Sequence, residues 1–163
     1  MRRDENTGGG TKNMKRVLSE IIINAGPSRV YSIITDFDRY PEWNSFTPRI
    51  TLRNEDFSTG AEFDLDCRMT DRKLLRNEHE MILEIRPGEN SFCMGTSRTR
   101  GRPGIKSFRW QICGDHPGGA TLFVNYEEFH GPLAPLVYLL YAKKLKTAFD
   151  AYCLILKERA EKG

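Results

Sequence analysis

The sequence predicts an α+β fold in which an antiparallel sheet of about seven strands accompanies one long C-terminal helix. Three observations carry that prediction. From Leu133 to about Lys162, Val137, Leu140, Tyr141, Leu145, Ala148, Phe149, Tyr152, Ile155 and Leu156 recur at three- and four-residue steps. That is an apolar stripe at helical period, and it leaves Lys143, Lys144, Lys146, Asp150, Lys157, Glu158 and Arg159 for the other face. Second, most of the preceding hundred residues alternate apolar and polar side chains, as half-buried strands do. Third, short loops punctuated by Gly and Pro join them, which favours a meander. A long helix with one apolar face needs something broad to lie against, and a sheet is the partner on offer.

The elements follow in order. Residues 1–13 are polar and Gly-rich, too poor in apolar groups to fold, and are expected to form a loose tail before a domain at 14–163. Val17 to Asn24 is β-rich and forms the first strand. Pro27 suits a first helical position, with Val30, Ile33, Ile34 and Phe37 following at helical spacing. Asp38 is placed to cap a second short helix carrying Tyr40 and Trp43. Thr47–Leu52 is a short strand. Glu62–Met69 alternates, with Phe63, Leu65, Cys67 and Met69 opposite Glu62, Asp64, Asp66 and Arg68. His79, Met81, Leu83 and Ile85 repeat the pattern, and Pro87-Gly88 ends that strand. Ser91–Ser97 sets Phe92 and Met94 on one side, and Phe108, Trp110 and Ile112 alternate with Ser107, Arg109 and Gln111. Pro117-Gly118-Gly119 turns the chain into a last strand, Ala120–His130. Its parity stays open, since Leu122, Val124 and Tyr126 compete with Phe123, Asn125, Glu127 and Phe129.

Composition narrows the classes of function. With 163 residues, 39% hydrophobic and 29% charged, the chain suits one compact soluble domain with a real core. A net charge of +3 gives no footprint for nucleic acid, and no run approaches the roughly 18 apolar residues of a membrane span. Asp4, Glu5 and three glycines stand where a signal peptide needs an apolar segment, so a cytoplasmic location is expected. Cys67, Cys93, Cys113 and Cys153 lie far apart with no C-x-x-C pair, which points to reduced, packed thiols and to no metal or cofactor.

The stretch 22–46 contains Asp36-Phe37-Asp38-Arg39-Tyr40-Pro41-Glu42-Trp43-Asn44-Ser45-Phe46 after a strand and a Pro-initiated helix. A second phrase, Glu127-Glu128-Phe129-His130-Gly131-Pro132-Leu133-Ala134-Pro135-Leu136, leads into the last helix. Together they resemble the START-like (SRPBCC) superfamily, the helix-grip fold of pollen allergens, lipid-transfer domains and polyketide cyclases. Within it they look like the small single-domain, polyketide cyclase/dehydrase-like branch. The chain departs where relatives often carry a histidine two residues ahead of Phe108; here Lys106 stands instead.

The resemblance implies a strongly curved sheet wrapped around the final helix, with a ligand cavity between them. Parity then nominates Phe63, Leu65, Cys67, Met81, Leu83, Phe92 and Met94 as lining residues, with Phe108, Trp110, Phe123 and Asn125 from the later strands. From the helical segments come Trp43, Phe46, Val137, Leu140, Tyr141 and Phe149. Nine Phe, two Trp and five Met suit an adaptable apolar wall. Glu127, His79 and Tyr152 are the candidates for proton transfer, Glu127 being preferred over Glu128 because Phe129 shares its side. Arg98, Arg100, Arg102 and Lys106 form a basic loop that reads as a solvated hairpin tip or as a contact for an acidic ligand group.

Three functions are compatible with these residues. The first is a binding module for a small hydrophobic, polyketide- or lipid-like molecule, with neither nucleic acid nor stable membrane insertion. The second is a cofactor-independent cyclase or dehydratase using the same cavity. The third is a protein-interaction module akin to the heat-shock ATPase activators among the relatives. Ligand identity and oligomeric state have no signature in the residues.

Overall fold

The computed structural model describes residues 15–53, 56–97 and 101–162. The expected tail at 1–13 and two members of the basic loop, Arg98 and Arg100, lie outside the described residues.

Seven strands form one antiparallel sheet: β1 (Lys15–Ile23), β2 (Arg49–Leu52), β3 (Glu62–Thr70), β4 (Lys73–Arg86), β5 (Ser91–Thr96), β6 (Lys106–His116) and β7 (Ala120–His130). Their spatial order is β1-β7-β6-β5-β4-β3-β2, a meander from β2 to β7 to which β1 adds an edge. Between β1 and β2 the chain crosses through α1 (Pro27–Thr35), a 3-10 turn (Phe37–Arg39) and α2 (Tyr40–Trp43). After β7 it enters α3 (Ala134–Glu161), 28 residues long, or about 42 Å of helix. This is the α+β helix-grip architecture, with a curved sheet closed around α3.

The start of α1 follows the expectation for Pro27, but Asp38 caps nothing. Neither the 3-10 turn nor α2 receives a side-chain cap, because the two short elements run directly into each other. The segment is held by packing instead. Tyr40 donates its hydroxyl to the Ile34 carbonyl at 2.6 Å, and the Phe37 ring meets those of Tyr40, Phe57 and Phe63 edge-on at 5.0, 5.2 and 5.5 Å.

α3 lies along β1, β7 and β3, so it touches both halves of the sheet. Leu145, Phe149, Tyr152, Cys153 and Leu156 are buried on its inner face, among Val17, Ile23, Val30, Ile34, Phe92 and Phe123. Polar bonds fix its direction. Ser19 donates to Asp150 Oδ1 at 2.6 Å, Lys157 Nζ to the Ile22 carbonyl at 2.8 Å, and Arg29 Nε to the Ala160 carbonyl at 2.8 Å. The last places a cation on the open carbonyls of the helix C-terminus, where it is stabilising. At the other end Gly131 has φ +100, and a Cβ there would lie 2.7 Å from the Gly104 carbonyl oxygen. Only glycine lets the chain turn from β7 into α3 against that loop.

Register irregularities bend the sheet and reset which side chains face α3. They fall between Leu65 and Cys67, between Arg68 and Thr70, and between Ile82 and Glu84. Each adds an unpaired residue on one strand, which kinks it and raises its twist.

Candidate functional site

Cross-strand partners share a face of the sheet, so the register decides what points at α3. In β3 and β4, Phe63 stands opposite Glu80 and Leu65 opposite Glu78. In β6 and β7, Arg109 pairs with Glu127 and Gln111 with Asn125, and Arg109 also pairs with Met94 of β5. The helix-facing side therefore carries Glu78, Glu80, Arg109, Gln111, Asn125 and Glu127 among its apolar residues.

Part of that face is covered by α3 and packed solid. The rest borders a pocket of about 380 Å³ between the sheet and the first half of α3. Phe46, Leu65, Cys67, Met94, Phe129 and Leu145 supply apolar wall, with Val137 and Tyr141 from α3. Glu78, Glu80, Glu127, Arg109 and Ser107 supply polar wall. Of the residues nominated from sequence, Phe46, Leu65, Cys67, Met94, Val137, Tyr141, Glu127 and His79 border this space. A second, shallower hollow of about 390 Å³ lies along α3 by Arg68, Asp71, Lys143 and Lys144, with Phe46 and Met69 common to both.

The remaining nominees stand elsewhere, for identifiable reasons. Phe108 and Trp110 are on the outer face, one residue out of phase with Arg109. There the Arg86 guanidinium lies 4.4 Å from the Trp110 ring, and Phe108 meets His130 edge-on at 4.9 Å. Alternation alone puts the aromatic side of β6 inside; in the fold that side is the outer one, shielded by stacked cations, Arg16 over Tyr126 among them. Lys106, opposite His130, shares this outward parity. Met81 turns outward because it stands opposite Gly95 and so on the side of Phe108, while Ile82 faces inward opposite Met94; the irregularity at Ile82/Glu84 then turns Ile85 inward opposite Phe92 and leaves Leu83 outward against Gly95. Leu140 is solvent-exposed, as are Leu136 and Leu139 beside it. Phe63, Phe92, Phe123 and Phe149 are inward but wholly buried in the core, as is Asn125. Trp43 stacks on Tyr152 at 5.9 Å.

The three proton-transfer candidates separate in the same way. Glu127 borders the pocket, and burial raises its carboxyl above the ordinary range against the opposing pull of Arg109. His79 reaches the rim, but its ring nitrogen is bonded to Asp64, which also pairs with Arg53 at 2.8 Å. Tyr152 is fully buried and donates to Gln111 Oε1 at 2.6 Å; burial holds its hydroxyl protonated, well above the usual phenol range.

Two groups that alternation concealed are the most unusual at this site. Glu80 is pushed up to about 8, first by burial and then by the neighbouring Glu127, with Arg109 working the other way. Such a carboxyl is largely a neutral acid at physiological pH. Arg109 is 6% exposed and sits among the rings of Phe46, Phe149 and Tyr152. Cross-strand register with Asn125 and Glu127 would have found it, had the parity of β7 been fixed first. The basic loop contributes Arg102, which is exposed and pairs with Glu78 at 2.6 Å. Among the described residues no cluster of His, Cys, Asp or Glu is arranged to hold a metal ion, and no helix is long and apolar enough to cross a membrane.

Comparison with known proteins gives a consistent picture. A profile of the family described as polyketide cyclase / dehydrase and lipid transport matches residues 14–161. No curated protein sequence matches significantly. Among solved structures, a protein from Thermus thermophilus, TTHA0849, superposes with a TM-score of 0.71 at 16% identity, over 90% of this chain and 97% of that one. The ZhuI aromatase/cyclase from Streptomyces sp. R1128 gives 0.69 at 11% identity, over 91% and 94%. Norcoclaurine synthase from Thalictrum flavum, in complex with dopamine and hydroxybenzaldehyde, gives 0.69 at 11% identity, over 99% and 98%. At these identities the structural likeness establishes the fold.

Proposed function

The chain belongs to the polyketide cyclase / dehydrase and lipid transport family, and from that premise we propose that it binds a small hydrophobic molecule, polyketide- or lipid-like, between the sheet and α3. The observation that carries this reading is the pocket itself. Its volume of about 380 Å³ falls within the range of small-molecule sites, and its wall is mainly apolar with polar groups gathered on β4, β6 and β7. The test is a native mass spectrum and a thermal-shift screen against hydrophobic ligands, run beside Val137→Trp, which fills the pocket from α3. Stabilisation of the wild type and its loss in the variant are expected. A wild-type chain that no such ligand stabilises would end this reading.

A catalytic role for the same pocket is the second reading, and Glu80 favours it. A carboxyl pushed up to about 8 beside Glu127 offers a proton donor and an acceptor in one wall. In an aldol-type ring closure, one carboxylate takes the proton from the carbon next to a carbonyl. The carbanion then attacks a second carbonyl, and the neutral acid protonates the oxygen formed. Glu80 and Glu127 are the residues assigned to this work. His79 is engaged by Asp64 and Tyr152 by Gln111, so neither is assigned. Glu80→Gln and Glu127→Gln should each abolish turnover of a cyclising substrate and leave its binding intact; unchanged turnover in both sinks the assignment.

A further inference from the structure

Arg109 stands on β6 in the wall of the pocket, with 6% of its surface exposed. A guanidinium stays charged at any physiological pH, so a buried one calls for compensation. The structure gives it two kinds. The rings of Phe46, Phe149 and Tyr152 lie 5.0, 4.6 and 4.9 Å from its central carbon, and ring faces attract a cation. Its Nε donates to Asn125 Oδ1 at 2.7 Å, a bond to a neutral amide. Neither supplies a negative charge. Glu80 and Glu127 feel the guanidinium across the pocket, but no hydrogen bond from it reaches either carboxyl. Its Nη2 is buried and has no hydrogen-bond partner among the described residues.

A buried, charged donor left unpaired at the edge of a cavity is costly unless something in that cavity completes it. The neighbouring carboxyls offset that charge only in part, because burial raises both, Glu80 to about 8, and a carboxyl in its neutral form is itself a donor. A hydrocarbon alone would leave Nη2 as it is. A neutral carbonyl would satisfy the bond and leave the charge. An anionic oxygen answers both.

We propose that Arg109 is the recognition point for a carboxylate on the ligand, so that the pocket takes a small apolar acid whose charged end meets the guanidinium while its body lies against Leu65, Met94, Val137 and Leu145. This deepens the binding reading above and rests on it. The rings of Phe46, Phe149 and Tyr152 around Arg109 hold the guanidinium in place. The same low-dielectric setting that makes the unpaired donor costly strengthens a charge-assisted bond to it.

Calorimetric titration of the full chain with two probes of one skeleton tests this: 1-naphthaleneacetate, an anion at neutral pH, and 1-naphthaleneacetamide, its neutral counterpart. The wild type is expected to bind the anion at least about tenfold more tightly, the range of a hydrogen bond to a charged group. In Arg109→Met, which keeps the aliphatic stem, the two probes should converge to within about threefold with the amide's affinity retained. Should circular dichroism show Arg109→Met unfolded, Arg109→Gln takes its place. Equal wild-type affinities for the two probes would overturn carboxylate recognition and leave the apolar pocket standing, as would an anion preference that survives loss of the guanidinium. A wild-type chain that binds neither probe overturns the pocket reading and this proposal with it.

Discussion

Glu80 carries its carboxyl on the helix-facing side of β4, where burial pushes it up from the ordinary 4.5 to about 8. Between those two values the folded chain holds a proton that the unfolded chain has released, so stability falls as pH rises through that window and levels off above it. Below 4.5 both states are protonated and the stability is at its full value. Thermal melts of wild type and Glu80→Gln across this range should therefore diverge. The wild type should lose on the order of 5 kcal/mol relative to the variant by the alkaline end; parallel profiles would mean that Glu80 is ionised in the folded chain across this window. Tyr152 makes the opposite kind of prediction. Its hydroxyl bonds to the buried Gln111 Oε1, so Tyr152→Phe strands that acceptor and should cost about 1–3 kcal/mol in denaturant unfolding. Ligand binding and any turnover should be unchanged, because the hydroxyl is buried at Gln111 rather than in the wall beside Glu80 and Glu127.

The strands show how much of an element periodicity can specify. Alternation and β-rich composition located them, although β4 begins at Lys73, ahead of the alternating run from His79, and in β3 alternation also gave the correct inner set of Phe63 and Leu65, since that face is apolar inside and charged outside. In β6 the same rule inverts, because Arg109 and Gln111 are the inner residues and Trp110 the outer one. In β4 the rule fails partway along, where the irregularity at Ile82/Glu84 turns Ile85 inward and leaves Met81 outward. The joint between β7 and α3 depends on one residue. Gly131→Ala puts a Cβ against the Gly104 carbonyl in a conformation that L-residues avoid, a strain of about 1–3 kcal/mol. Faster hydrogen exchange at the Leu133 amide, which bonds to that same carbonyl at 3.0 Å, would register the displacement. Within α3, Phe149 is fully buried against Phe46 at 5.5 Å. Phe149→Ala should cost about 3–5 kcal/mol through the cavity it leaves, and an equilibrium unfolding curve that barely moves would contradict its place in the core.

For the whole molecule, sheet and helix share one core, and the pocket is the part of their interface that side chains leave unfilled. A ligand held there binds the folded chain alone and raises its stability by mass action, about 2.7 kcal/mol at a concentration one hundred times its dissociation constant. The midpoint of a thermal melt should then climb with ligand concentration without levelling at one equivalent. A midpoint that stops rising once ligand and protein are equimolar would indicate something other than reversible binding to the native state.

Period and punctuation along the chain determined which segments become strand or helix, because an amphipathic stripe is a local property of neighbouring residues. The phrase at 36–46 and the run 127–136 likewise carried the family, since turns and aromatic corners are written in consecutive residues. What no local pattern contains is which face of each strand closes on α3. That was decided by register and by the irregularities that shift it, both set by pairing between residues far apart in sequence. Arg109 and Glu80 were hidden for this reason: each is a charged residue on a strand, and alternation assigns such residues to water. Only when the sheet folds around the helix does that charged row become an interior surface, where burial changes what a carboxyl and a guanidinium can do.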